Sequence, residues 1–448
     1  MRGKHASLCA QKYNIDTIHN MLDRTKRPSV KPLMDLDIQS PNRIFMANDV
    51  PLNVLHVGNA EVVRMDILVG AGIWHQELPL QALFANRMLR EGTGRMNSAE
   101  ISERLDFYGA WVELSTSMNY SFLTLYSLNK HFAHTLSVVA DMMKNPTFPE
   151  EEMRVTVDNN RQQFLVNSTK VDVMARKEFS RALFGDSHPC GRHAVLEDYD
   201  QLTTEDLRDF YRKYYHSVNC SIYLSGAIST EILTQIEQEF GSSPWGGVKP
   251  CEPLSPLPVP PYQGRRIHLE HPTAVQSSLR LGCPLVDRSH PDFAALKVLV
   301  TVLGGYFGSR LMSNIREDKG YTYGISAGIA SYPIQGYLAI GTETANEYVE
   351  TCIDEVKHEM RRLQEELIPE HELSMVKSYM MGEMCRSYEG PFSLSEAWIF
   401  LETAGLEKNF FQILEKKTLG VTSQELRELA IRYFRPDEML EVVAGKSV

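Results

Sequence analysis

The chain has 448 residues, of which 43% are hydrophobic and 23% are charged, a composition typical of a soluble globular protein with about two to four domains. Its net charge of −11 and its pI of about 5.7 leave no basic stripe, which argues against a nucleic-acid-binding class. No run of about 18 apolar residues occurs, and the seven cysteines form no C-x-x-C pair. We therefore predict a cytoplasmic protein with no membrane segment.

The first half of the chain alternates short apolar runs with longer amphipathic segments. Strands are predicted over 54–57 and 62–69, followed by a helix over 79–91 and a second helix over 98–109 with Ser98 as its cap. The remaining predicted elements of this half are strands over 110–128 and 220–224 and helices over 131–144, 150–166, 171–184 and from Thr204, which is predicted as a cap.

A proline-rich segment separates this half from the next. Residues 245–263 contain six prolines and two glycines, a composition that suits neither a helix nor an inner strand. The sequence becomes regular only after Met21, which is an alternative start. We predict four parts: a lead-in over 1–32, a first domain over 33–245, a linker over 246–264 and a second domain over 265–448.

The second half repeats the first at an offset of about 220 residues. FPEEEMRVTV from residue 148 is echoed by IPEHELSMVK from residue 368, and SIYLSGA from residue 221 by LEVVAGK from residue 440. LTTEDLRDFYRKYY from residue 202 is echoed by VTSQELRELAIRYF from residue 421. Such internal repeats indicate a tandem duplication of one domain. Strands that precede groups of helices favour an α+β fold.

The stretch Gly304–Gly324 of the second half combines a helix, a turn and a strand. A glycine pair precedes apolar residues at helical spacing, the segment 316–320 breaks the helix, and an alternating strand begins at Tyr321 or Tyr323. Arg316 at the helix end and Tyr323 at the strand start are therefore able to converge on one ligand oxygen. An ordinary helix–turn–strand corner explains the same residues.

The duplication, the proline-rich hinge and several motifs together resemble the insulinase-like metallopeptidases. The motifs are AGIWHQ, LREGT at 89–93, DSHPCGR at 186–192 and REDKGYTYG in the second half. These peptidases are inverzincins of the pitrilysin and mitochondrial processing peptidase type, with an H-x-x-E-H zinc signature. The resemblance implies two tandem domains of strands and helices that close like a clamshell around a peptide substrate.

The same resemblance locates the zinc site and indicates that its ligands are missing. In the family the H-x-x-E-H motif lies shortly before a Gly-Thr pair, which places it on residues 83–87 ahead of Gly92-Thr93. The two histidine positions hold Leu83 and Arg87, and the glutamate position holds Asn86. The third family ligand, a glutamate further along the chain, falls on Gln163. Leucine, arginine and glutamine are poor zinc ligands, so we expect no zinc in this chain.

The resemblance implies that the substrate-binding residues are retained. Family members use an arginine and a tyrosine seven residues later to contact the scissile carbonyl region, and Arg316 and Tyr323 match this spacing. A guanidinium and a phenol are suitable donors toward a developing oxyanion. Tyr321 is the alternative partner of Arg316. Family members also bind substrate as an added strand at a sheet edge, but we interpret the strands over 110–128 as core strands.

Two H-x-x-H pairs are alternative metal ligands. His268 and His271 follow the linker in a predicted strand, where side chains at i and i+3 point to opposite faces. His131 and His134 fit one helix face, but no third ligand accompanies them. His75, His188 and His193 are interpreted as hydrogen-bonded structural residues.

These observations lead to one functional hypothesis and two rivals. We expect the chain to be the non-catalytic, substrate-binding subunit of a heterodimeric zinc peptidase whose partner carries an intact H-x-x-E-H motif and the zinc ion. The first rival is a catalytically silent pseudo-peptidase used as a scaffold. The second is an inactive homodimer.

Overall fold

A computed structural model describes residues 38–247, 257–332 and 335–447, together with Thr25 and Leu36. The first half forms a six-stranded sheet in the order β1-β2-β6-β3-β5-β4. Its strands are β1 (Asn42–Phe45), β2 (Pro51–His56), β3 (Val62–Val69), β4 (Trp111–Thr116), β5 (Ser121–Leu128) and β6 (Cys220–Gly226). The strand β3 is buried almost throughout, which explains its nearly continuous apolar sequence.

Eight α-helices lie in the described part of the first half. They are α1 (Gln81–Arg87), α2 (Ser98–Phe107), α3 (Phe132–Lys144), α4 (Glu150–Ser168), α5 (Val171–Phe184), α6 (Asp198–Gln201), α7 (Thr204–Tyr214) and α8 (Thr230–Ile236). The caps of α2 and α7 lie one residue before the predicted ones. Asn97, not Ser98, accepts the Glu100 amide at 2.9 Å, and Thr203, not Thr204, accepts the Asp206 amide at 3.3 Å. In both helices the third residue returns a carboxylate to the cap amide, so the pairs form capping boxes.

The second half forms another sheet, in the order β10-β11-β8-β12-β7, with β9 paired to β11 outside this path. Its strands are β7 (Arg266–Glu270), β8 (Gln276–Gly282), β9 (Pro284–Leu285), β10 (Thr322–Tyr332), β11 (Gln335–Ala345) and β12 (Leu440–Gly445). Its helices are α9 (Phe293–Val300), α10 (Val349–Glu365), α11 (Glu370–Ser387), α12 (Pro391–Thr403), α13 (Phe410–Gly420) and α14 (Ser423–Tyr433).

Five strands of each sheet share one topology. In the first, β2 is parallel to β6, and β6, β3, β5 and β4 follow as antiparallel neighbours. In the second, β7 is parallel to β12, and β12, β8, β11 and β10 follow in the same way. The predicted α+β fold with two tandem copies of a mixed domain is confirmed. The strands β4 and β10 lie at equivalent outer edges.

Each half contributes one helix that packs on the sheet of the other half. The helix α5 of the first half packs on β8 and β12, where Phe179 and Leu183 contact Leu440 and Val442. The helix α12 of the second half packs on β6 and β2 of the first sheet. These two helices begin at Val171 and Pro391, positions that differ by the offset of the sequence repeat. The core over each sheet therefore includes side chains from both halves.

Polar contacts fix α12 to the first sheet. The guanidinium of Arg64 pairs with Asp66 at 2.9 Å and with Glu396 of α12 at 2.5 Å. Glu402 of α12 accepts hydrogen bonds from Ser221 at 2.6 Å and from Tyr223 at 2.7 Å. Because Arg64 and Asp66 are buried, their pairing within this network offsets the cost of burying the charges.

The predicted domain boundaries assign each sheet to its own domain, but α5 and α12 pack across these boundaries. The boundaries therefore stay a prediction. Apart from Thr25, the predicted lead-in over 1–32 lies outside the described residues, as does the part of the linker over 248–256. Among the described helices, none has both the length and the apolar character that a bilayer crossing requires.

Candidate functional site

The stretch Gly304–Gly324 forms a corner that places β10 against two helical segments. The helix α9 continues as a wider π-helical turn and ends at the glycine pair. A Cβ atom on Gly304 would lie 2.7 Å from the Ala327 amide nitrogen, so only glycine lets this helix end approach β10. A second helical segment, Met312–Asp318, ends before Gly320, whose φ of +69° is left-handed and suits glycine.

This corner brings Arg316 and Tyr323 together. The Arg316 Nε atom donates a hydrogen bond to the Tyr323 carbonyl oxygen at 3.0 Å. The guanidinium carbon of Arg316 also lies 4.6 Å from the ring centroid of Phe307, a cation–π contact. The ring of Phe307 is 61% exposed and the Tyr323 residue is 93% exposed. Arginine and phenol donors are therefore presented side by side at the start of an outer strand.

Tyr321, the alternative partner, has a different environment. Its ring stacks on Tyr348 with centroids 4.6 Å apart, and its amide donates to the Ile315 carbonyl at 3.0 Å. The half-buried Tyr321 ring also packs against the core of the second half. Tyr323 is thus the accessible member of the two.

Asn86, at the position of the family glutamate, has a structural role. It is 1% exposed, and its amide nitrogen donates to the Ser115 carbonyl at 2.7 Å and to the Phe122 carbonyl at 3.2 Å. Its amide oxygen accepts from the Tyr215 hydroxyl at 3.3 Å. The amide nitrogen therefore fastens α1 to the strands β4 and β5, and the amide oxygen fastens it to Tyr215 at the end of α7.

The other three positions of the family zinc site do not form a metal-binding set. Leu83 and Arg87 are half-buried on α1, and Gln163 is exposed on α4. Within the described ranges, no group of three or more His, Cys, Asp and Glu residues could hold a metal ion. A leucine, an asparagine, an arginine and a glutamine do not fit a zinc ion, which takes thiolate, imidazole or carboxylate ligands.

Arg87 instead places a positive charge in this region. It lines a cavity of about 530 Å³ together with Arg90, Glu91 and the outer strand β4. Burial lowers the pKa of Arg87, and the nearby Tyr199 opposes this shift. A guanidinium remains charged despite such a shift, so this site holds a fixed positive charge at the position that the resemblance assigns to a zinc ligand.

The strand β4 is an edge strand, which corrects the expectation that the strands over 110–128 lie in the core. It pairs with β5 on one side only, and its side chains alternate between exposed and half-buried, with Trp111 64% exposed. The strand β5 lies inside the sheet, as expected. An edge strand of this kind leaves backbone groups free for another chain.

Three of the four histidines in the H-x-x-H pairs contact aromatic, carboxylate or hydroxyl side chains. His134 stacks on Tyr108 at 4.8 Å, and His131 lies 5.1 Å from the same ring. His268 lies 3.2 Å from Glu270 and 3.1 Å from Ser447.

The sequence interpretation missed Phe307, although an aromatic residue between Gly305 and Gly308 was a signal of an exposed turn.

Comparison with known proteins places both halves in one family. Residues 58–189 match the model described as Insulinase (Peptidase family M16), and residues 201–380 match the model described as Peptidase M16 inactive domain. An uncharacterized zinc protease, YmxG of Bacillus subtilis (strain 168), is 26% identical over 388 residues, which are 85% of this chain and 93% of the relative.

Solved structures share the fold. A peptidase M16 inactive domain from Pseudomonas fluorescens superposes with a TM-score of 0.81 and 23% identity, over 91% of this chain and 98% of that one. A chain of complex III2 from Candida albicans superposes with a TM-score of 0.70 and 13% identity, over 90% and 95% of the two chains. At these identities the similarity establishes the architecture alone.

Proposed function

The chain belongs to the insulinase-like M16 peptidase family, and on this premise we propose that it is the non-catalytic, substrate-binding subunit of a heterodimeric zinc peptidase. Its partner is a zinc-bearing member of the same family, and the complex cleaves peptides in the cytoplasm. This chain contributes Arg316 and Tyr323 to the partner's active site and binds no catalytic zinc itself.

One observation carries the proposal: the accessible Arg316–Tyr323 corner occurs in a chain whose zinc positions hold Leu83, Asn86, Arg87 and Gln163. Tyr323 is 93% exposed, and the half-buried Arg316 guanidinium has donors beyond the Nε atom that bonds the Tyr323 carbonyl, one of which lies 3.7 Å from Glu317. Both groups are hydrogen-bond donors that suit an oxygen gaining negative charge during peptide hydrolysis. The hydrogen bond to the Tyr323 carbonyl holds Arg316 in place before substrate arrives.

The test is a mixing experiment with the zinc-bearing homologue from the same organism and an unstructured fluorogenic peptide. We expect turnover by the mixture and none by this chain alone. Arg316→Ala is expected to lower kcat of the mixture about 100- to 1,000-fold, as for loss of an oxyanion donor. Tyr323→Phe is expected to lower it about 10- to 100-fold, because the ring remains and one hydrogen bond is lost.

Arg154→Ala is the matched control, since Arg154 is exposed on α4 and pairs with Glu151 of the same helix. It is expected to leave turnover unchanged. If the Arg316 and Tyr323 variants are as active as the control in a mixture that forms a stable complex, the chain is a scaffold. If the chain pairs only with itself and the mixture is inactive, it is an inactive homodimer.

A further inference from the structure

A cavity of about 680 Å³ lies in the second half between α9, the outer strand β10 and the helices α11, α12 and α13. Six aromatic side chains line it: Phe293, Tyr379, Tyr388, Phe400, Phe410 and Phe411. Cavities of this volume commonly hold small organic ligands. Neither Arg316 nor Tyr323 lines this cavity, so it is distinct from the proposed substrate corner.

Two cationic side chains, Arg288 and Lys297, face this apolar cavity. The guanidinium carbon of Arg288 lies 4.6 Å from the Phe400 ring centroid. The Lys297 residue keeps solvent-exposed surface, and its side chain lines the cavity. Partial desolvation lowers the pKa of Lys297, and the positive charge of Arg288 lowers it further. Burial likewise lowers the pKa of Arg288.

The glutamates that line the same cavity do not neutralise these cations. Glu383 pairs with Arg386 at 2.6 Å, and Glu396 pairs with Arg64 at 2.5 Å. Within the described part of the chain, neither Arg288 nor Lys297 has a carboxylate within ion-pair distance. Two neighbouring positive charges without a paired carboxylate repel each other on the wall of this cavity, and a bound anion would relieve this repulsion.

We propose that this cavity binds a small carboxylate with an apolar body. The carboxylate lies between Arg288 and Lys297, and the apolar body packs against the aromatic walls. An inorganic anion would satisfy the two cations but leave the aromatic surface exposed to water, whereas a neutral apolar molecule would leave the cations without a counterion. A carboxylate with an apolar body satisfies both parts of the site.

The test is isothermal titration calorimetry on the full chain with two probes, decanoate and phenylbutyrate, each compared with its neutral amide. We expect at least one carboxylate to bind, and its amide to bind at least about tenfold more weakly. Lys297→Gln and Arg288→Gln are each expected to weaken carboxylate binding about tenfold or more, because each removes a charge-assisted hydrogen bond. Binding of decanoate alone identifies an acyl body, and binding of phenylbutyrate alone an aromatic one.

Lys130→Gln is the control, because Lys130 is an exposed lysine of the first half, away from this cavity. It is expected to bind the probes as the unmodified chain does. Replacement of a cation without a carboxylate partner is not expected to unfold the chain, and circular dichroism of each variant checks this. Equal affinity for carboxylate and amide, unchanged affinity of both glutamine variants, or no binding of either carboxylate would each overturn the proposal.

Discussion

The equivalent edges of the two sheets, β4 and β10, carry different chemistry on the same topology. Next to β4, Asn86 is buried and its hydrogen bonds hold α1 to the sheet. Next to β10, Tyr323 is exposed and Arg316 is half-buried, and the hydrogen bond from Arg316 goes to the Tyr323 backbone oxygen rather than to the phenol. One edge therefore carries a buried amide that makes structural contacts, while the other carries hydrogen-bond donors that reach the surface.

Each sheet is covered by a helix of the other half, so the two edges belong to one packed body rather than to two separate units. A change that disturbs one half is then transmitted to the other through α5 or α12. The following variants test this coupling first, then the structural role of Asn86, and finally the acid sensitivity of the first half.

The largest effect is expected from truncation of side chains on α5 and α12, the helices that pack on the sheet of the other half. Trp398 of α12 is buried on the first sheet, and Phe179 of α5 is buried against the second. Trp398→Ala and Phe179→Ala are each expected to lower the free energy of unfolding by about 3–5 kcal/mol, as large aromatic truncations in cores do. Urea denaturation followed by circular dichroism measures the loss.

Both variants are expected to keep one cooperative transition, because each sheet depends on the other half for part of its core. Two separate transitions in either variant would show that the halves unfold independently and that α5 and α12 contribute little coupling. Phe107→Ala is the control, since this aromatic residue is 81% exposed and its loss should change stability by less than about 0.5 kcal/mol.

A smaller effect is expected at Asn86, the position that the resemblance assigns to the family glutamate. Asn86→Leu keeps a similar volume but leaves the Ser115 and Phe122 carbonyls and the Tyr215 hydroxyl without this partner. We expect the free energy of unfolding to fall by about 1–3 kcal/mol, the cost of buried groups left unsatisfied. Gln163→Ala, on the exposed face of α4, is expected to change it by less than about 0.5 kcal/mol. Equal stability of the two variants would remove the structural role assigned to Asn86.

Local features could be predicted from the sequence more readily than contacts between residues far apart in the chain. The repeat and the alternation of apolar residues predicted the fold, and the helix–turn–strand pattern predicted that Arg316 and Tyr323 meet, because they are only seven residues apart. The role of Asn86 depends on Tyr215, which is 129 residues away. No local pattern indicates such a partner, nor which sheet an apolar helix such as α12 will cover.

The absence of long-range information in a local pattern also explains why β4, within the predicted strands over 110–128, was wrongly expected in the core. Alternation predicted both strands, but an edge strand and an inner strand differ in the number of neighbours rather than in local sequence. The exposure of Trp111 on β4 follows from the sheet order, which only long-range pairing determines. The cap corrections at Asn97 and Thr203 are smaller errors, because adjacent polar residues compete for the same position.

The smallest effect is expected from acid titration of a histidine in the first half. His188 is buried between Trp74 and Phe184, with ring centroids 5.2 and 5.4 Å away. Its Nδ1 atom accepts the Cys190 amide at 3.1 Å, and its Nε2 atom has no hydrogen-bond partner among the described residues. Burial lowers the pKa of His188. The unfolded chain therefore binds a proton first as the pH falls, and the folded state loses stability below about pH 6.5.

His188→Asn keeps an acceptor for the Cys190 amide but does not titrate in this range. We expect it to reduce the loss of unfolding free energy between about pH 7 and pH 5 by about 1 kcal/mol or less, since one pKa unit corresponds to about 1.4 kcal/mol. Urea denaturation at the two pH values measures the difference, and His371→Asn in the second half is the matched control. If both variants lose as much stability on acidification as the unmodified chain, burial of His188 does not contribute to the acid sensitivity of the first half.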